Sequence, residues 1–303
     1  MKIRPQRLTI GDTVGVVALA GPLAMDRLPE KLALLESLGL KVRIGETVGL
    51  TGKYLAGSDE ERLNDLHKMI QDPEVKAIFC LKGGYGAARI VDRIDYQALT
   101  ENPKIFWGFS DVTYLHTAFQ EYSNLVTFHG PMLSSGGANE LSELSIRMFQ
   151  QLFTPFEIQY DDNLTPLQTV VGGSARGELT GGNLNRLVST LGTKFEFDAK
   201  DKIVLLEDIG ESLENIDSMV NQLRLARKLE EAAGFVIGNF SNINDGSLEE
   251  VWTLFEEYLK PLGKPAVAGF MIGHCEPNIA IPLGVEAILE ADLKILRILP
   301  GVE

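Results

Sequence analysis

Residues 105–116 read IFWGFSDVTYLH: an apolar, aromatic run that halts at Gly108-Phe109-Ser110 and resumes with apolar side chains at helical spacing. A strand that delivers the chain to a sharp turn opening a helix is the repeating unit of a parallel sheet covered by helices. The serine at that turn has two readings. Serine and aspartate are common helix caps, so Ser110-Asp111 fits an N-terminal cap. The same geometry fits a nucleophile elbow, in which the hydroxyl stands out of the sheet and the helix N-terminus supplies N–H groups. Val112 stands where the pattern G-x-S-x-G has its last glycine, so that signature is incomplete.

The alternation extends outward from this stretch. VGVVALA (14–20), KVRI (41–44), VKAIFCL (75–81), PKIFWGF (103–109) and LVTFHG (125–130) read as strands. Between and after them, PEKLALLESLGL (29–40), SDEERLNDLHKMIQ (58–71), GAARIVDRI (86–94), DVTYLHTAFQEY (111–122) and ANELSELSIRMFQQLF (138–153) read as helices. Beyond residue 155 the texture changes to a glycine-rich, alternating stretch through residue 182, which reads as β structure. A helix (183–192), a strand (202–208), a long helix (213–229), a strand (234–240), a helix (248–259) and a strand-rich tail (278–299) follow. The expected fold is α/β. An N-terminal doubly wound, mostly parallel sheet domain (1–155) carries the serine, a linker spans 156–170, and a C-terminal α/β domain with β-rich segments spans 171–303.

Charge narrows the function classes. Lysine and arginine total 28 against 42 acidic residues, for a net charge of -14, which argues against binding to nucleic acid or anionic membrane. The start is basic and then apolar, but its apolar run is short and ends in Gly-Pro, which fits a buried first strand better than an export signal. No run approaches the ~18 apolar residues of a membrane span. Cys80 and Cys275 form no disulfide framework, and no Cys/His spacing resembles a zinc site. The expectation is a reduced, cytoplasmic protein without metal or cofactor.

A serine nucleophile needs a base, and the base needs an orienting carboxylate. His67 falls within an amphipathic helix and reads as a surface residue, and His116 lies in the helix after Ser110 and reads as packed or solvated. His274 sits in a glycine-bracketed loop and ranks first as base, and His129, ending a strand, ranks second. Glu207 and Asp208 close the apolar strand IVLLED, at the carboxyl end where such sheets keep their chemistry. Asp208 and Glu211 are also ordinary first-turn acids, a reading that suits Glu207 less well. Lys82-Gly83-Gly84-Tyr85-Gly86 follows a strand and lets backbone approach an anion; it reads as an oxyanion hole or as a plain tight turn, and it lacks a nucleotide-loop pattern.

Taken together, GDTVGVVALAGP, LKGGYGAARI, GFSDVTYLH, GELTGGNLNRLVSTLGT, LLEDIGESLENIDSMVNQL and IGHCEPNIAIPLGVEAIL resemble, in order, the LD-carboxypeptidases, serine peptidases of the S66 type. The resemblance implies a Ser–Glu–His triad of Ser110, Glu207 and His274, with an oxyanion hole from the backbone N–H groups of Gly84 and Asp111. It implies hydrolysis of the bond between an L-centre, meso-diaminopimelate or lysine, and the terminal D-alanine of a murein tetrapeptide in cell-wall recycling. A homodimer is also implied. Gly83, Tyr85, Arg89 and Arg186 are candidates for holding the peptide. A close branch hydrolyses microcin C-type peptidyl or aminoacyl adenylates with the same triad; its members tend to be longer than this chain. A catalytically silent peptide-binding protein on the same scaffold is the remaining alternative.

Overall fold

The computed structural model describes residues 2–136 and 140–303. In chain order the strands are β1 (Thr13–Val17), β2 (Lys41–Ile44), β3 (Val75–Cys80), β4 (Ile105–Gly108), β5 (Thr127–His129), β6 (Ile158–Tyr160) and β7 (Gln168–Val171). They continue with β8 (Ser174–Asn183), β9 (Ile203–Ile209), β10 (Gly234–Ser241), β11 (Ala266–Ala268), β12 (Ile281–Leu283), β13 (Glu286–Glu290) and β14 (Ile295–Ile298). The helices are α1 (Leu28–Ser37), α2 (Asp59–Gln71), α3 (Tyr96–Glu101), α4 (Thr113–Tyr122), α5 (Glu143–Arg147), α6 (Leu184–Thr190), α7 (Leu213–Leu225), α8 (Lys228–Glu231) and α9 (Leu248–Leu259).

The described strands form two sheets. The first has the order β12-β5-β4-β3-β1-β2 and is parallel except for β12, which runs antiparallel to β5. The second has the order β6-β14-β13-β8-β9-β10-β11-β7, with β8 to β11 parallel and both flanks antiparallel. This is the α/β, parallel-rich architecture expected. Alternation along β4 shows how it is held. Phe106 faces a core with Leu115 and Phe119 of α4, while Trp107 faces the opposite core with Phe79, Phe128 and Phe149. That second core also takes Leu179, Leu205, Val236 and Leu289, so one apolar layer joins the inner faces of both sheets. Removing a fully buried side chain such as Trp107 from such a layer costs about 3–5 kcal/mol.

Four local readings differ from the structure. Residues 86–94 do not form one helix but two tight 3-10 turns, Ala87–Arg89 and Val91–Arg93, because the Ala87 N–H goes to the Asp111 carboxylate and Ile94 turns extended. The long helix expected over 213–229 breaks after α7, where Arg227 is left-handed (φ 61°), and α8 then buries Lys228 and Leu229. In the helix expected over 138–153, residues 138 and 139 lie outside the described part. The rest is α5, capped by Ser142, followed by a 3-10 turn at Met148–Leu152. Residues 156–170, expected as linker, contain β6 and the start of β7, both paired within the second sheet.

The two sheets are also stitched by the chain itself. β12 comes from the C-terminal part of the sequence yet pairs with β5, Ile281 opposite His129.

Candidate active site

Ser110 follows β4 and does not cap α4. It opens a 3-10 turn, Ser110–Val112, with a left-handed backbone (φ 65°), and no side-chain cap bond precedes it. A serine in this region is strained by roughly 1–2 kcal/mol, and such residues concentrate at functional sites. The glycine loop approaches it closely: a Cβ on Gly83 would stand 3.0 Å from Ser110 Oγ. Gly83 O accepts from Gly21 N at 3.0 Å, which turns the Gly84 N–H the other way across a planar peptide. Asp111 is fully buried; its Oδ2 accepts from Ala87 N at 2.8 Å and its Oδ1 lies 3.4 Å from Arg186 Nε. Burial raises the Asp111 carboxyl above its ordinary range, against the Ala87 N–H and the nearby arginines.

Glu207 and His274 reach the same region from the second sheet. Glu207, on β9, is fully buried, and its Oε2 lies 2.7 Å from His274 Nδ1. Its Oε1 has no hydrogen-bond partner among the described residues. His274 rides on the loop after β11, which is fixed by Asn239 Nδ2 donating to His274 O at 3.2 Å and Gly273 N donating to Asn278 Oδ1 at 3.2 Å. Burial opposes protonation of His274, but the Glu207 carboxylate, with help from Asp208, outweighs it and raises the imidazole above 6.5. Asp208 is pushed up to about 6 by burial and by its neighbour Glu207, although it accepts from Asn183, Asn185 and Ile209.

Further contacts join the halves near these residues. Phe109, the residue before Ser110, packs on the His274 ring with centroids 4.7 Å apart. Thr113, at the start of α4, accepts from Asn183 N at 3.1 Å, and Asn183 Nδ2 donates to Asp208 Oδ1 at 2.8 Å. Asn183 therefore bridges the serine's helix and the strand of Glu207. It lies within the stretch GELTGGNLNRLVSTLGT but was given no role there, although it ends β8 opposite Glu207 in the ladder.

The remaining candidates are placed as follows. His129 is fully buried, neither ring nitrogen has a partner among the described residues, and burial, with like charges at His116 and His274, holds it far below 6.5. His116 is also fully buried, bonds Gly108 O at 2.8 Å and is lowered to about 4 by burial. His67 is half-buried and accepts from Asp95 N at 3.0 Å. Arg89 has its fork on the Asp59 carboxylate, with contacts of 2.8, 2.8 and 3.1 Å. Tyr85 is exposed and packs on Tyr54 with ring centroids 5.9 Å apart. Arg186 stands beside Asp111 and reaches Gly84 O at 3.5 Å. Among the described residues no His/Cys/Asp/Glu group is arranged to hold a metal, and no helix is long and apolar enough to cross a membrane.

Residues 14–130 match the LD-carboxypeptidase N-terminal domain of peptidase family S66, and residues 176–289 match its C-terminal domain. This chain belongs to the LD-carboxypeptidase family. Within that family it is 45% identical to a probable murein peptide carboxypeptidase of Bacillus subtilis, over 100% of this chain and 96% of the relative. It is 30% identical to the murein tetrapeptide carboxypeptidase of Pseudomonas aeruginosa, over 93% of this chain and 94% of the other. Among solved structures it resembles an MccF-like protein from Bacillus anthracis, with a TM-score of 0.90, 25% identity, and coverage of 98% of this chain and 99% of that one. Carboxypeptidase activity accompanies family membership.

Proposed function

We propose that this LD-carboxypeptidase is a serine peptidase that releases the terminal D-alanine of murein tetrapeptides, with Ser110 as nucleophile, His274 as base and Glu207 as its orienting carboxylate. The observation that carries the reading is the 2.7 Å Glu207–His274 bond, made by a buried carboxylate to a half-buried loop imidazole whose ring packs on the residue preceding Ser110. With Nδ1 engaged by Glu207, Nε2 is the nitrogen left to exchange protons. Ser110 Oγ adds to the carbonyl carbon next to D-alanine while His274 takes its proton. The resulting oxyanion rests on the N–H groups of Gly84 and Asp111. Collapse breaks the C–N bond, and His274 protonates the departing D-alanine amine. A water, deprotonated in turn by His274, adds to the ester; release of the shortened peptide returns the proton to Ser110.

Arg186 is the proposed partner of the D-alanine carboxylate, because Arg89 is already forked onto Asp59. Gly83, whose backbone closely approaches Ser110, and the exposed Tyr85 are further proposed contacts of the peptide. The family resemblance extends the proposal to a cytoplasmic homodimer acting on soluble peptides. The microcin C-type branch implied by the family resemblance makes adenylate hydrolysis the second reading, and the likeness to an MccF-like structure supports keeping it. Incubation with L-Ala-D-Glu-meso-diaminopimelate-D-Ala, its lysine counterpart and a microcin-type aminoacyl adenylate separates the two. The murein reading expects free D-alanine from a tetrapeptide, and Ser110→Ala removes it while retaining peptide binding. Turnover of the adenylate alone overturns the murein reading, and full D-alanine release by Ser110→Ala overturns the serine mechanism.

A further inference from the structure

Arg62 is a fully buried arginine in α2, on the helix face that also carries Leu66 and Met69. One of its nitrogens, Nη1, donates to two carbonyls at once: Leu19 O at 2.6 Å and Gly86 O at 2.7 Å. Nη2 pairs with Asp59, and Nε has no partner among the described residues. Asp59 is held from its other side by Arg89, just after the glycine loop. The Gly86–Ala87 peptide is thereby clamped at both ends, its oxygen by Arg62 and its N–H by Asp111, the residue after Ser110. Leu19 lies two residues before Gly21, whose N–H holds Gly83 O.

We propose that Arg62 is a positioning residue of the catalytic centre: its Nη1 rivets the segment after the first strand to the glycine loop and so fixes the direction of the Gly84 N–H. The proposal rests on the reading that this N–H serves the oxyanion.

Stability alone is a poor account of Arg62. Taking a guanidinium out of water costs several kcal/mol, and a buried ion pair seldom repays that against an apolar side chain of similar volume. An unpartnered Nε adds to the cost. A methionine or leucine here would extend the apolar face of α2. What neither can do is hold two carbonyls from separate loops with one planar donor. The loop needs outside restraint because Gly83, Gly84 and Gly86 lack the Cβ that narrows the backbone of other residues. An oxyanion donor that drifts out of place costs about 10²-fold in rate or more.

The test uses the full chain with Arg62→Lys, Arg62→Met and Asp59→Asn, assayed on the cleaved tetrapeptide. Affinity is measured for the tripeptide product and for a peptide boronic acid, which forms a tetrahedral adduct on the serine. The proposal expects kcat to fall roughly 10- to 100-fold in the Arg62 variants, KM and product affinity to stay within about threefold, and boronate affinity to fall in step with kcat/KM. A folded Arg62 variant with wild-type kcat overturns it, as does a loss confined to KM or product binding. If both Arg62 variants fail to fold, Asp59→Asn decides, since it leaves the guanidinium in place but frees its anchor. Unchanged kcat and boronate affinity in that variant overturn the proposal, and a parallel loss supports it. Ser110→Ala keeps the two levels apart: residual turnover there defeats the serine reading, whereas a dead Ser110→Ala beside unimpaired Arg62 variants defeats only the positioning role.

Discussion

Glu207 Oε2 bonds His274 Nδ1 at 2.7 Å, and Gly273 makes that approach possible, because a Cβ at residue 273 would overlap the same carboxylate oxygen. Gly273 also has φ 107°, where a side chain is strained. Gly273→Ala must therefore displace either Glu207 or the His274 loop. The expected outcome is a loss of about 2–3 kcal/mol in urea-unfolding free energy together with at least a tenfold fall in kcat/KM. A variant as stable and active as the parent would show that the pair tolerates separation.

The pH dependence follows from the raised imidazole. A base must be neutral, so kcat/KM declines as pH falls through a His274 value above 6.5. Burial alone acts in the opposite direction, so Glu207→Gln, which removes the largest raising influence, should move the acid limb to lower pH. Stability follows the linked sign. A group whose pKa is higher folded than unfolded stabilises fully below the unfolded value near 6.5, and loses that contribution as pH rises through the folded value. The stability gap between the parent and Glu207→Gln should accordingly be wider at pH 6 than at pH 9. An acid limb that stays in place in the variant would remove Glu207 from the pair.

Ser110 holds a left-handed backbone that glycine adopts freely. Ser110→Gly and Ser110→Ala should both be inactive, yet the glycine variant should be more stable than the alanine variant by about 1 kcal/mol. Thermal and urea unfolding of the two proteins measure this directly, and equal stability would mean that the turn relaxes at no cost.

His129 carries the weight of a competing base. Its imidazole is buried without partners and held neutral, so His129→Phe should keep the acid limb of the rate profile and lose less than about tenfold in kcat/KM. Its stability should match or exceed that of the parent, since an unpartnered buried polar group costs about 1–3 kcal/mol. Disappearance of the limb in this variant, with its retention in His274→Gln, would reverse the order of the two histidines.

Much of the architecture was legible in local pattern. The short, nearly continuous apolar runs VGVVALA, VKAIFCL and IFWG and the helical period along SDEERLNDLHKMIQ are local features of the chain, so β1, β3, β4 and α2 follow from them. Capping chemistry was equally local: Ser58 caps α2 with Glu61 completing the box. The turns of residues 86–94 were not, because the Ala87 N–H is claimed by Asp111 from another element.

What the sequence determined by itself was the alternation of strand and helix and the short list of polar residues at strand ends: Ser110, Glu207, His274 and the glycine loop. Tertiary structure decided their partners. Glu207 and His274 stand 67 residues apart and meet only because the loop after β11 folds back over β9. His129, ending a strand, ranked second to the loop residue His274, and what set it aside was the placing of β5 inside the sheet between β4 and β12, which buried it. Arg62 reads in sequence as one more charged residue of an amphipathic helix, and only the packing of α2 shows which carbonyls it holds. Periodicity records whether a side chain faces inward. Which groups it meets there is set by how two sheets and their loops pack, and no local pattern carries that information.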